Sequence, residues 1–97
     1  GVTINPREMP LEITFKGASS NLTITNTTTG DVWQYTKTTA SGDTLLLTGV
    51  RSLKNGLSVF SDTNKKLISL APGYNNFTIT GATGSFTISF AFRFYTL

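Results

Sequence analysis

The chain has 97 residues, no cysteine, no histidine and a formal net charge of +3. This length suits one domain with one core, and the two missing residue types exclude disulfides, thiolate metal sites and the commonest general base. The basic residues are scattered rather than clustered, and no segment approaches the ~20 apolar residues of a membrane helix, so we expect neither a nucleic-acid nor a membrane partner.

From residue 11 onward, apolar and polar residues alternate with the period of two that is typical of strands. Residues 11–16 and 20–26 each place their large apolar side chains on one face. A hairpin turn is predicted at Gly30 and Asp31. Residues 43–49, DTLLLTG, are apolar enough to predict a short strand covered on both faces.

The second half of the chain continues the strand pattern. Asn55 and Gly56 form the strongest short hairpin signal, because both central residues of such a turn need positive φ. A second turn is predicted over residues 61–66 and a third over residues 81–84. The last strand should be a central strand of the core, because five large apolar residues share one of its faces: Phe86, Ile88, Phe90, Phe92 and Phe94.

No window of eleven or more residues shows helical spacing, so the sequence predicts an all-β domain. Eight or nine short strands are joined by turns rich in glycine, asparagine and aspartate. This regular spacing favours a two-sheet antiparallel β-sandwich, with a jelly roll as one form of it.

The acidic residues do not form a catalytic pattern. Asp31, Asp43 and Asp62 occupy turn contexts, where aspartate hydrogen-bonds the backbone. The sequence shows neither a facing carboxylate pair nor a calcium-loop motif. We therefore predict no enzymatic activity, no catalytic residue, no metal site and no cofactor.

Carbohydrate binding remains a candidate function, because sugars are held by aromatic rings beside planar polar side chains. Tyr74, Asn75 and Asn76 provide this combination next to a turn, with Pro72 and Gly73 fitting its two central positions as a type II turn. Trp33 is the fourth candidate. The structural alternatives are a core position for Trp33 and a turn with sheet-edge packing for Tyr74.

Several segments taken together resemble the C-terminal domain of distal tail proteins of siphophages and prophages. The family pattern contains I-x-N-x-x-T-G, then a strand ending in a polar turn, then L-x-P-G-x-N-x-(I/F)-x-(I/V)-x-G and a final aromatic strand. These elements occur here in the same order, at Ile24-Asn26-Gly30, at residues 43–49, at residues 70–81 and at residues 86–97.

The resemblance implies a galectin-like β-sandwich over residues 11–97, with residues 1–10 as the linker from a missing N-terminal domain. It also implies a structural part of a phage tail tip that contacts other baseplate proteins. The parent protein would be a homohexamer made in the bacterial cytoplasm and located in the virion, and the isolated domain would be a monomer. Because histidine is absent, the sugar site of true galectins is absent too.

Two further functions stay open beside this one. The chain is alternatively a carbohydrate-binding module for host cell-wall polysaccharide that uses the four candidate residues. It is also interpretable as a fragment of a secreted lectin or adhesin.

Overall fold

The structure, a computed structural model, describes residues 11–48, 51–71 and 74–92. These residues form antiparallel strands and one short 3-10 turn, which confirms the all-β prediction. No helix in these three ranges is long and apolar enough to cross a membrane. The elements are β1 (Leu11–Asn26), β2 (Asp31–Thr39), β3 (Thr44–Thr48), β4 (Arg51–Lys54), β5 (Leu57–Ser58), the 3-10 turn (Phe60–Asp62) and β6 (Phe77–Phe92).

The sheet is built around β1. Strand β6 pairs with one edge of β1, while β2 and β3 pair with the two halves of its other edge. Strands β4 and β5 continue the sheet beyond β3. All six strands thus belong to one curled hydrogen-bonded sheet, and this architecture is compatible with the predicted β-sandwich.

The curled sheet encloses a single apolar core. Fully burying a large aliphatic or aromatic side chain stabilises a fold by about 1.5–3 kcal/mol, so the buried side chains of this core stabilise the curled sheet. Most of its members come from β1, β2 and β3. They are Leu11, Ile13, Phe15, Leu22, Ile24, Trp33, Tyr35, Leu45, Leu47, Ile68 and Leu70.

Strand β1 joins two segments that the sequence predicts as separate strands. Asn21 has φ 51°, and the pairing with β2 shifts between Ser20 and Leu22. Before this irregularity the odd-numbered residues face the core, and after it the even-numbered residues do so. The irregularity therefore keeps both apolar stretches on the inner face of one continuous strand, and the described chain has fewer strands than the predicted eight or nine.

The prediction of a turn over residues 81–84 is wrong, because β6 runs through these residues as one strand. Its register with β1 is disturbed between Thr80 and Phe86, opposite the irregular part of β1, and is then restored. Gly81 has φ 94°, and a Cβ atom there would lie 2.7 Å from the carbonyl oxygen of Asn21. Gly81 thus lets the two bent strands approach closely without reversing the chain.

The prediction that the last strand is central is also wrong for the described residues. Strand β6 pairs with β1 alone, whereas β1 has neighbours on both sides. Phe86 is 41% exposed, and Ile88 and Phe90 are partly buried against the core cluster. Phe94 and the side chain of Phe92 lie outside the described residues. The core is centred on β1, which has β6 along one edge and both β2 and β3 along the other.

The other predicted turns and strands are mostly confirmed. Asn55 and Gly56 connect β4 to β5 with φ values of 50° and 84°, as the hairpin signal requires. The chain also turns between β1 and β2, with Gly30 at φ 82°. In β3, however, Leu46 is only half-buried, so the predicted cover on both faces is partial.

Candidate functional site

Tyr74 is the most exposed of the large apolar or aromatic side chains that the structure describes. Its exposed fraction is 81%, compared with 41% for Phe86. It precedes β6 by three residues. The predicted type II turn at Pro72 and Gly73 lies outside the described residues. The position of Tyr74 leaves its ring open to solvent, as contact with a ligand or a partner requires.

Asn75 is turned toward the protein and is half-buried. Its Oδ1 atom accepts a hydrogen bond from the backbone nitrogen of Ala71 at 2.8 Å, and its Nδ2 atom donates to the carbonyl oxygen of Ala71 at 2.9 Å. The same Oδ1 atom accepts from Nδ2 of Asn26 at 3.0 Å. The side chain of Asn75 therefore closes its own loop and anchors that loop to the end of β1.

Asn26 completes this connection from the other side. It is fully buried, and its Nδ2 atom also donates to the carbonyl oxygen of Ser69 at 3.0 Å. Its Oδ1 atom accepts from the backbone nitrogen of Thr28 at 3.0 Å. We refer to Asn26 and Asn75 as the asparagine pair. The pair joins residues 49 positions apart in the sequence.

Asn76 is exposed and is held by its backbone. Its carbonyl oxygen accepts from the nitrogen of Thr27 at 2.8 Å and from the hydroxyl of Thr27 at 3.0 Å. Its nitrogen donates to the hydroxyl of Thr28 at 3.0 Å. The backbone beside Tyr74 is thus fixed to the turn between β1 and β2.

Trp33 lies in the core rather than beside Tyr74. It is 1% exposed, and its ring is stacked with that of Tyr35 at a centroid distance of 6.5 Å. Its Nε1 atom donates to the hydroxyl of Ser52 at 3.0 Å. A ring in this position presents no face to solvent, so the structure groups only three of the four predicted carbohydrate-binding residues.

Asp31 ties the same loop to β2. Its carboxylate accepts hydrogen bonds from the hydroxyl of Thr29 and from the nitrogen and hydroxyl of Ser69. Burial raises the pKa of Asp31, but the hydrogen bonds from Ser69 and Thr29 outweigh it and lower the pKa below its ordinary value. The sequence indicates the turn role of this aspartate, but gives no signal for its contact with Ser69.

Asp43 plays a similar structural part in the turn between β2 and β3. It accepts from the nitrogen of Ala40 at 2.8 Å and from Nδ2 of Asn55 at 2.9 Å. These two hydrogen bonds lower the pKa of Asp43. Within the ranges that the structure describes, no three acidic side chains are grouped as ligands for a metal ion.

The described surface also has an open groove of about 250 Å³, which the sequence does not predict. Its wall combines the partly exposed ring of Phe86 with three hydroxyl groups and one ammonium group, from Lys16, Ser41, Ser85 and Thr87. A cleft beside Trp33 holds only about 20 Å³, which is room for about one water molecule. The groove, rather than the cleft, has space for contact with a larger molecule.

The chain matches no protein-family model, no curated protein and no solved structure. Its candidate site is therefore defined by its own geometry. That geometry combines an exposed Tyr74 with neighbouring residues that are hydrogen-bonded by the asparagine pair and by Asp31.

Proposed function

We propose that this chain is a non-enzymatic structural module of a phage or prophage tail tip, and that it acts by protein–protein contacts with neighbouring baseplate proteins. Its place is the virion, after synthesis in the cytoplasm of a bacterial host. As the resemblance implies, the parent protein is a homohexamer.

The asparagine pair is the observation that carries this proposal. Asn26 belongs to the I-x-N-x-x-T-G segment and Asn75 to the L-x-P-G-x-N segment, and both segments are part of the resemblance to distal tail proteins. Their side chains are hydrogen-bonded to each other at 3.0 Å. The residues that carry the resemblance thus act together in one structural unit, as expected if both segments belong to one fold signature.

Three other residues of the same segments also have structural roles. Ile24 and Leu70 are buried in the core cluster. Gly81 has the positive φ that its close approach to β1 requires. The acidic side chains of Asp31 and Asp43 accept hydrogen bonds that fix turns. These roles support a scaffold that binds partners through its surface rather than a catalytic centre.

Purified phage particles provide the test. Bacteria that carry the gene are induced to produce phage, tailed particles are isolated on a density gradient, and their proteins are identified by mass spectrometry. We expect the chain to co-purify with the tail proteins at a constant ratio across the particle peak. An abundant cytoplasmic protein serves as the control. Recovery of the chain only in the soluble fractions would contradict the proposal.

A second function is favoured by the exposure of Tyr74. The ring of Tyr74 is 81% exposed and provides a flat apolar surface. Asn76, two positions along the chain, is also exposed and carries an amide group. This arrangement suits stacking against a sugar ring of a cell-wall polysaccharide. Binding of this kind is compatible with a role in the tail tip.

Co-sedimentation with bacterial cell walls tests this second function. We expect Tyr74→Ala to lose saturable binding while it unfolds at the same urea concentration as the unsubstituted chain. Leu57→Ala is the matched control, because Leu57 is 74% exposed and lies in the short strand β5. Equal binding by both variants, or no binding to any wall by the unsubstituted chain, would exclude Tyr74 as a sugar-binding residue.

A further inference from the structure

The edges of the sheet differ in how they are covered. The edge of β2 is covered by the segment that follows the 3-10 turn. The backbone nitrogen of Asn64 donates to the carbonyl oxygen of Gln34 at 3.0 Å, and its Nδ2 atom donates to the carbonyl oxygen of Val32 at 2.8 Å. Thr36 donates to the carbonyl oxygen of Asp62 at 2.7 Å. At the opposite end, β5 has only two residues. Covering and shortening are both ways in which proteins prevent edge strands from pairing with other chains.

Among the described residues, the outer edge of β6 is neither covered by another segment nor short. Strand β6 is 16 residues long, and β1 is the only described strand that pairs with it. Its sequence, FTITGATGSFTISFAF, contains no proline and no charged residue. The irregularity around Gly81 interrupts the edge once and leaves residues 86–92 in unbroken register with β1. No described residue bonds to the backbone groups on the outer edge of this stretch, which are the groups that a further strand needs.

The side chains of this stretch are self-complementary. Phe86, Ile88 and Phe90 lie on the face that packs toward the core, and none of them is fully buried. Thr87 and Ser89 are exposed on the other face. Two identical strands that pair antiparallel about a two-fold axis keep the same face on the same side of the sheet. The apolar residues of one copy then lie opposite apolar residues of the other, and hydroxyl groups lie opposite hydroxyl groups. Both kinds of cross-strand pair are stabilising, and no like charges oppose each other.

We propose that residues 86–92 of β6 pair with the same residues of a second copy of this chain, which joins two sheets edge to edge. The proposal goes beyond the tail-tip function and does not depend on it. It also replaces the sequence-based expectation that the isolated domain is a monomer. Because one short strand pair is small compared with a standard interface of about 1,600 Å², the dimer should dissociate on dilution.

Sedimentation velocity over a wide range of protein concentration is the test. We expect the unsubstituted chain to shift from monomer to dimer as its concentration rises. Ser89→Lys and the double variant Thr87→Lys/Ser89→Lys should remain monomeric at concentrations where the unsubstituted chain is dimeric, because two-fold pairing brings the added charges together. Thr38→Lys, which adds the same charge at an exposed position of β2, should dimerise normally. Urea unfolding monitored by Trp33 fluorescence checks that each variant is folded.

Two results would overturn the proposal. A monomer at every concentration would show that this edge does not pair with a second copy; protection from exchange at those amides of residues 86–92 that point away from β1 would show that it is covered within one chain. A dimer that both lysine variants form as readily as the unsubstituted chain would place the interface elsewhere.

Discussion

Replacing Asn75 by alanine removes the three hydrogen bonds, at 2.8, 2.9 and 3.0 Å, that its side chain forms with the described residues Ala71 and Asn26. Each such bond contributes about 1 kcal/mol net. We therefore expect Asn75→Ala to lower the free energy of unfolding by about 3 kcal/mol. For a domain of this size, that loss lowers Tm by roughly 12–24 °C.

Urea and thermal unfolding, followed by fluorescence, measure this effect. The single tryptophan, Trp33, is 1% exposed, so its emission reports directly on the core. Asn76→Ala is the matched control, because it makes the same chemical change at the next position. Asn76 is exposed, and its hydrogen bonds to Thr27 and Thr28 come from its backbone, which the substitution leaves in place. We expect this control to stay within about 0.5 kcal/mol of the unsubstituted chain.

The double variant Asn26→Ala/Asn75→Ala tests the asparagine pair itself. Residues in direct hydrogen-bonded contact are expected to show a coupling energy of about 0.5–3 kcal/mol, so the two losses should not add. If Asn75→Ala melts within a few degrees of Asn76→Ala, the loop is not anchored by the asparagine pair and the reasoning is refuted.

Two other substitutions test the fold independently. Gly81→Ala should lower the urea midpoint strongly, because its Cβ atom would lie 2.7 and 2.8 Å from two backbone oxygens and its φ is 94°. Gly84→Ala is the control, because a Cβ atom at Gly84 would have no atom within 4 Å. A loss at Gly84 as large as that at Gly81 would contradict the account. Asp31→Asn should destabilise the chain at neutral pH, because hydrogen bonds from Ser69 and Thr29 lower the folded-state pKa of Asp31 below its ordinary value. The stabilising contribution of Asp31 is present above its unfolded-state pKa and is lost as the pH falls through its folded-state pKa. The difference in the free energy of unfolding between Asp31→Asn and the unsubstituted chain, measured with urea, should therefore shrink toward acid pH. A difference that grows below pH ~4 would show the opposite sign.

The sequence predicts those parts of the fold that depend on local chemistry. The alternation of apolar residues identifies the inner faces of β1 and β2, and Asn55 with Gly56 identifies the hairpin between β4 and β5. The wrongly predicted turn at residues 81–84 has a cause that lies outside β6. Glycines in a strand indicate a turn, but here Gly81 allows two bent strands to approach, and that requirement comes from β1, about 60 residues earlier in the chain.

The candidate site is predictable only in part, for a related reason. Tyr74 is exposed, as its position beside a turn predicts, and Trp33 occupies the core position that the sequence left as an alternative. The hydrogen bond between Asn26 and Asn75 depends on how distant segments meet, so no local pattern reveals it. The contact of Asp31 with Ser69 is hidden from the sequence in the same way.

Immunogold electron microscopy of phage particles tests the proposed function most directly. Antibodies raised against this domain would be applied to intact particles from the bacteria that carry the gene, with antibodies against a capsid protein as the control. The account predicts that gold particles lie at the distal end of the tail. Labelling of the capsid alone, or unlabelled tails on particles that the control antibody labels, would contradict it.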